Sequence, residues 1–151
     1  MKLVAARLER GALLLIDYGF PEREYYHPQR AMGTLMCHYR HRAHGDVFFH
    51  PGLQDITAHV DFTALARAAR EAGLEVLGYA NQAGFLVDCG ITEVLGREDP
   101  EDVVRYAPLA AEAHRLLSPA EMGELFKVLA VGRGVRQPLL GFANCDRSHT
   151  L

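Results

Sequence analysis

The chain has 151 residues, 49% of them hydrophobic, and a formal net charge of −3. That is enough for one packed core, and basic residues spread along the chain exclude the dense cationic face that neutralises many phosphates, so nucleic acid is not an expected partner. Apolar stretches such as residues 13–16 fall far short of the ~20 residues of a membrane-spanning helix, and the first residues do not read as a signal peptide, which makes the cytoplasm the expected location and a membrane an unexpected partner.

Residues 1–10 read as helical with no cap, like the tail of an element that begins upstream. Ala12 to Ile16 form a continuous apolar run that ends in Asp17-Tyr18-Gly19. This is the pattern of a parallel-sheet strand buried on both faces whose carboxyl end opens into a polar loop. From 20 to 54 the chain is polar and aromatic, with Pro21, Pro28, Pro51 and the histidines His27, His38, His41, His44 and His50, and no helical period. We read it as a long functional loop or insertion.

Asp61 is placed to cap a helix whose apolar positions are Phe62, Leu65, Ala66 and Ala69, with Gly73 as its left-handed stop. Residues 74–80 read as the next strand. Strand, connection, helix and strand in that order build a right-handed parallel crossover, so the class is α/β. Residues 82–91 read as a short helix, and a longer one is expected from Pro100, capped by Asp99, to about residue 117. Ser118-Pro119-Ala120-Glu121 has the pattern of a capping box. A strand over 126–131, a hairpin turn at Gly132-Arg133-Gly134 and a last strand over 139–143 complete the reading, with a frayed tail over 144–151. The whole, 1–151, is a single or partial domain.

The strings LLLIDYGF (Leu13 to Phe20), YYHPQRAMGTLMCHYRHR (Tyr25 to Arg42), DITAHVDF (Asp55 to Phe62), NQAGFL (Asn81 to Leu86) and FKVLAV (Phe126 to Val131) together resemble the MidA family of S-adenosylmethionine-dependent methyltransferases. The resemblance implies the C-terminal portion of a class I, Rossmann-like sheet, with three to four strands and helices. Residues 13–16 would be its fifth strand and the later runs its sixth and seventh. Some mitochondrial members are implicated in arginine methylation of a respiratory complex I subunit, so a protein substrate is implied. The N-terminal cofactor-binding half is not matched: no glycine-rich turn follows a first strand, and the glycines Gly132 and Gly134 lie between strand-like runs with no helix after them. S-adenosylmethionine is therefore expected in the complete enzyme and not on this chain alone. The chain reads as a fragment, with Met1 an internal position of a longer frame.

Asp17 and Tyr18 end a strand at the sheet's carboxyl edge, where open α/β sheets bind ligands, and are the first catalytic candidates; the competing account is a loop cap and a packed ring. His59 is the third, as a general base, against a histidine satisfied by a neighbouring carbonyl. It alternates with Asp55, Thr57 and Asp61, which turns and the helix cap also explain. Arg40 and Arg42 suit an acidic substrate patch or a solvated basic face, and Asp55 and Gln82 complete the substrate-binding candidates. Phe20, Tyr25, Tyr26 and Tyr39 either line a channel or fasten the long loop to the core. Cys37, His38, His41, His44 and His50 are metal-like residue types without the paired spacing of a closed zinc site, so no metal is expected, and Cys37, Cys89 and Cys145 suit free thiols.

Two functions fit. One is part of a methyltransferase, inactive alone. The other is a non-catalytic partner-binding module, dimerising through the strand edge that the missing fourth strand would leave exposed.

Overall fold

The computed structural model describes all residues, Met1–Leu151. It places one four-stranded mixed sheet at the centre and a smaller three-stranded sheet at one end. After the single turn α1 (Lys2–Ala5), strand β1 (Gly11–Phe20) runs into α2 (Glu22–Tyr25), a 3-10 turn (Pro28–Arg30), and the short strands β2 (Met36–Tyr39), β3 (Arg42–His44), β4 (Asp55–Thr57) and β5 (Val60–Asp61). Helix α3 (Phe62–Glu71), strand β6 (Glu75–Asn81), helices α4 (Gln82–Asp88), α5 (Ile91–Leu95) and α6 (Val103–Leu117), and strand β7 (Phe126–Arg133) follow.

The main sheet has the order β5-β1-β7-β6. β7 is antiparallel to both neighbours, so β1 and β6 run parallel with β7 between them. The crossover through α3 thus has its expected direction, but it skips one strand position. That insertion also explains why the hairpin expected at residues 132–134 does not form. β7 has partners on both edges, so a strand over 139–143 would find no free edge there; a 3-10 turn (Leu140–Phe142) forms instead, with Phe142 buried against β6 and β7.

The two faces of the sheet are covered unequally. On one, Phe62, Ala69, Leu74, Tyr79, Leu129 and Val131 form the main core, with Leu13 and Leu15 packed against it. On the other, Ala80, Val128, Ala130 and Phe142 are covered by Phe85 of α4 and by Leu139. This cover ends before β1. Leu14 and Ile16 remain 45% and 54% exposed, so β1 is buried on one face and not on both.

Local chemistry sets the helix ends. The Asp61 carboxylate accepts the Ala64 N–H at 2.9 Å, and Gly73 turns out of α3 at φ +76°, as expected. α6 starts three residues later than expected, because Asp102, not Asp99, accepts the N–H of the third residue on, Arg105. Residues 118–121 are turns, not a helix: the Ser118 carbonyl accepts the N–H groups of Glu121 and Gly123. The tail expected to fray is tied to β6, since Asp146 accepts the Tyr79 N–H at 2.9 Å and the Arg147 N–H bonds back to the Tyr79 carbonyl. The long loop of 20–54 holds α2, a 3-10 turn and two strands of the small sheet, whose order is β3-β2-β4.

Gly19 controls the approach of β5 to β1. The two strands pair in parallel at Gly19↔Val60 and Phe20↔Asp61, and an added Cβ at Gly19 would run into the Val60 carbonyl oxygen. Backbone cannot yield as a side-chain tip does. Gly19→Ala is expected to destabilise the chain by about 2–3 kcal/mol, read as a fall in Tm, whereas a swap of Gly45, whose added Cβ meets nothing within 4 Å and whose φ is not left-handed, clashes with no atom.

Candidate functional site

Three strands meet at one edge of the sheet. β1 and β6 end there, and antiparallel β7 begins there, which aligns Asp17 with Lys127, Lys127 with Asn81, and Tyr18 with Phe126. Alternation along β1 sends Asp17 and Tyr18 to opposite faces. The two first candidates are therefore not brought to one point.

On the Tyr18 face, the segment between β4 and β5 delivers His59. Its ring lies edge-on to Tyr18 at 5.6 Å and tilted against Phe20 at 5.0 Å. The His59 N–H donates to Thr34 Oγ1 at 3.1 Å, fixing the backbone, while Nδ1 is buried with no hydrogen-bond partner. Tyr18, Arg30, Thr34, Thr57 and His59 share a cleft of about 270 Å³. Arg30 stacks over the Phe20 ring at 3.8 Å and donates from Nε to the Glu24 carbonyl at 3.0 Å. Thr57 Oγ1 is occupied by the Met36 carbonyl, so it is a wall of the cleft.

Burial lowers the His59 pKa below its ordinary value of 6.5; the cations Arg30 and Lys127 push the same way, and Asp17 opposes them. The imidazole is therefore neutral at pH 7 and available as an acceptor. The sign of the stability effect follows. Below pH 6.5 the unfolded chain takes up a proton that the folded chain resists, so stability falls as pH drops from 6.5 through the folded value. His59→Gln is expected to flatten this slope, measured as Tm against pH for the two proteins.

On the opposite face, Asp17 is exposed and its carboxylate accepts the neighbouring Tyr18 N–H at 2.8 Å. Lys127, only 6% exposed, donates from Nζ to the Glu124 carbonyl, and its ammonium also reaches over the strand end to within 5.8 Å of the Phe20 ring centroid. Burial lowers its pKa, against the raising effect of Glu124 and Glu24. Asn81 bonds Glu124, which also pairs with Arg147. The Tyr79 hydroxyl is buried without a partner under this row, and burial raises its pKa. Lys127 and Arg30 were not among the candidates read from sequence. A lysine inside the apolar run 126–131 was a signal for the first; Arg30, in an irregular loop, offered none.

The remaining candidates lie apart. Asp55 pairs with His38 in the small sheet, and Arg40 and Arg42 stand at the β2–β3 turn, lining a different cavity. Gln82 is buried, and its amide donates to the Leu116 carbonyl at 3.0 Å, so it anchors α6. Cys37 and His44 share one face of the small sheet and His38 the other, and no group of three His, Cys, Asp or Glu is arranged around a metal position. All three cysteines are free. No helix is long and apolar enough to cross a membrane. Gly132 lies within β7 and Gly134 just after it, against Arg10, with no α-helix N-terminus after them, so these two glycines are not part of a strand–turn–helix cradle.

Comparison with known proteins identifies the family and the fold. Residues 1–80 match a family model described as "Putative S-adenosyl-L-methionine-dependent methyltransferase". The mitochondrial protein arginine methyltransferase NDUFAF7 of Danio rerio is 34% identical over 125 residues, 80% of this chain and 27% of that protein. The Homo sapiens protein of the same name is 35% identical over 127 residues, 82% of this chain and 26% of the relative. Among solved structures, an uncharacterized protein from Burkholderia thailandensis superposes with a TM-score of 0.97 at 59% identity, over 99% of this chain and 40% of that one. A second Burkholderia thailandensis structure of the same superfamily, bound to S-adenosyl-homocysteine, gives 0.96 and 59% over 99% and 39%. The chain thus spans about a quarter of the curated relatives and two-fifths of the solved chains. Its mixed sheet is that part of a methyltransferase fold, and the chain belongs to the MidA-like family of S-adenosylmethionine-dependent methyltransferases.

Proposed function

We propose that this chain forms the acceptor side of a methyltransferase that acts on a protein side chain, and that it is inactive alone. Arginine is the acceptor named for the mitochondrial relatives. The observation that carries the reading is the half-buried, neutral His59, which lines a cleft at the carboxyl edge of the sheet and whose Nδ1 has no hydrogen-bond partner. S-adenosylmethionine, held by residues outside this chain, supplies the methyl group. Here the His59 imidazole accepts a proton from the acceptor nitrogen, and the Tyr18 and Phe20 rings hold it and exclude water. Asp17 fixes the Tyr18 backbone and acts on His59 only through its charge. A soluble cytoplasmic setting and a polypeptide partner, not nucleic acid, complete the reading.

Calorimetric titration of S-adenosylmethionine tests it, first into the chain alone and then into its mixture with the remainder of the Burkholderia chain as a separate polypeptide. Heat is expected only from the mixture, together with transfer of labelled methyl to an arginine-containing protein. Tight binding to the chain alone would overturn its inactivity in isolation; bound cofactor without transfer to protein would overturn the acceptor class.

One observation favours a second reading, a dimerising module. β5 covers only Gly19 and Phe20 of β1, leaving the edge from Gly11 to Tyr18 unpaired beside exposed Leu14 and Ile16. A dimer by sedimentation that Ile16→Lys dissolves would support it, and a monomer would remove it.

A further inference from the structure

We propose that the cleft beside the β2–β3 turn is a docking site for an acidic, extended polypeptide segment; only in assigning that segment to the methyl acceptor does this rest on the reading above. Its volume is about 740 Å³, and its walls include Tyr39, Arg40, Arg42, His44 and Phe49. It is separate from the His59 cleft, with no lining residue in common.

Charge is the first argument. The ion pairs of this chain are Arg67–Glu22, Arg105–Asp102 and Arg147–Glu124, so neither Arg40 nor Arg42 is neutralised by a partner. Asp46, the one acid in the cleft, uses its carboxylate on the Phe48 N–H at 2.9 Å. Two exposed guanidinium groups thus face the cleft, suited to bidentate contact with carboxylates.

The backbone supplies the second. β2 and β3 pair at Tyr39↔Arg42, which leaves Arg40 and His41 as a two-residue turn. Both have positive φ, 49° and 63°. Asn-Gly is the sequence such a turn favours, and L-residues with long side chains are strained there. The chain therefore presents Arg40 and His41 at the tip against the preference of the turn.

Unused hydrogen-bonding groups supply the third. The His44 ring lines the cleft, with its Nε2 sealed beneath the surface, so the groups on offer are those of the backbone. β3 is an edge strand of its sheet, so Arg42–His44 offer unpaired main-chain groups to an added strand. Tyr39, Phe49, His44 and His50 rings, 4.3–5.6 Å apart in their packed pairs, make a rigid wall, and Phe48 beside it is 83% exposed. A peptide strand uses all of these features, whereas a phosphate backbone uses only the two arginines.

Fluorescence anisotropy of a short fluorescein-labelled glutamate-rich peptide, titrated with the full chain, tests the proposal. Saturable binding that weakens with salt is expected. Arg40→Asn combined with His41→Gly restores the favoured turn, so it is expected to raise Tm while weakening the peptide about tenfold, the loss of a charge-assisted contact. Arg70→Ala, on the exposed side of α3, is expected to leave binding unchanged. Absence of saturable binding, equal affinity in the double variant, or preference for a single-stranded oligonucleotide over the peptide would each overturn the proposal. None of these outcomes depends on cofactor binding or methyl transfer, so failure here and failure of the acceptor-side reading are distinguishable.

Discussion

Phe62→Ala is expected to cost about 3–5 kcal/mol and to unfold a large fraction of the chain at physiological temperature, because marginal domains have only about 5–15 kcal/mol to lose. Phe62 is fully buried and packs against Tyr79 with ring centroids 5.4 Å apart, in the cluster that holds Leu129 and Val131. It is also the first residue of α3, immediately after the Asp61 cap and β5. Its ring edge lies beneath Gly19, where β5 meets β1. Removing the ring therefore opens a cavity in the core and loosens the segment that delivers His59. Phe62→Leu, which retains much of the apolar volume, is expected to lose clearly less. Tm for the two variants, with the His59 ring signal followed by NMR, separates the effects: a Phe62→Ala protein as stable as Phe62→Leu would show that the cluster is not the keystone of the core.

The parts of the fold legible in the sequence are those where the local signals agree and nothing distant overrides them. Asp61, the helical spacing of Phe62, Ala66 and Ala69, and Gly73 define α3 at both ends, since cap, stripe and stop coincide. The apolar runs of β6 and β7 are legible because both of their faces are covered. β1 carries the same kind of run, yet Leu14 and Ile16 are open, because composition records what a strand is able to bury and not what is there to cover it. Strand order was not legible. Nothing local in residues 126–133 says that this strand inserts between two others, and that one fact overturns the hairpin and the final strand together.

The small sheet escaped for another reason. Its strands are three or four residues long, and its turn carries Arg40-His41 where the recognisable signal is Asn-Gly. Within the candidate site, strand-end position leads to the edge where Tyr18 and His59 meet, but alternation places Asp17 on the other face, and Arg30 reaches the cleft from a segment with no period. Gln82 shows the converse: a polar residue next to a matching string turns out to hold a helix end.

His59→Gln is expected to lower methyl transfer about 100-fold in the reconstituted mixture, the lower end of what a positioned general base contributes. Glutamine keeps a polar side chain in the space between Tyr18 and Phe20, so packing changes little while the proton acceptor is removed. Because burial and Arg30 lower the His59 pKa, the wild-type rate is expected to hold through pH 6.5 and to decline only below it; the variant should lack that limb. Lys127→Met provides the contrast. It removes a buried cation that stands over the Phe20 ring packed against His59, so the His59 pKa should rise and the acid limb should move to higher pH, with the imidazole intact. A rate that falls equally for Lys127→Met and His59→Gln, with no shift of the limb, would mean that this edge contributes shape and not proton transfer, and would assign the base to residues outside this chain.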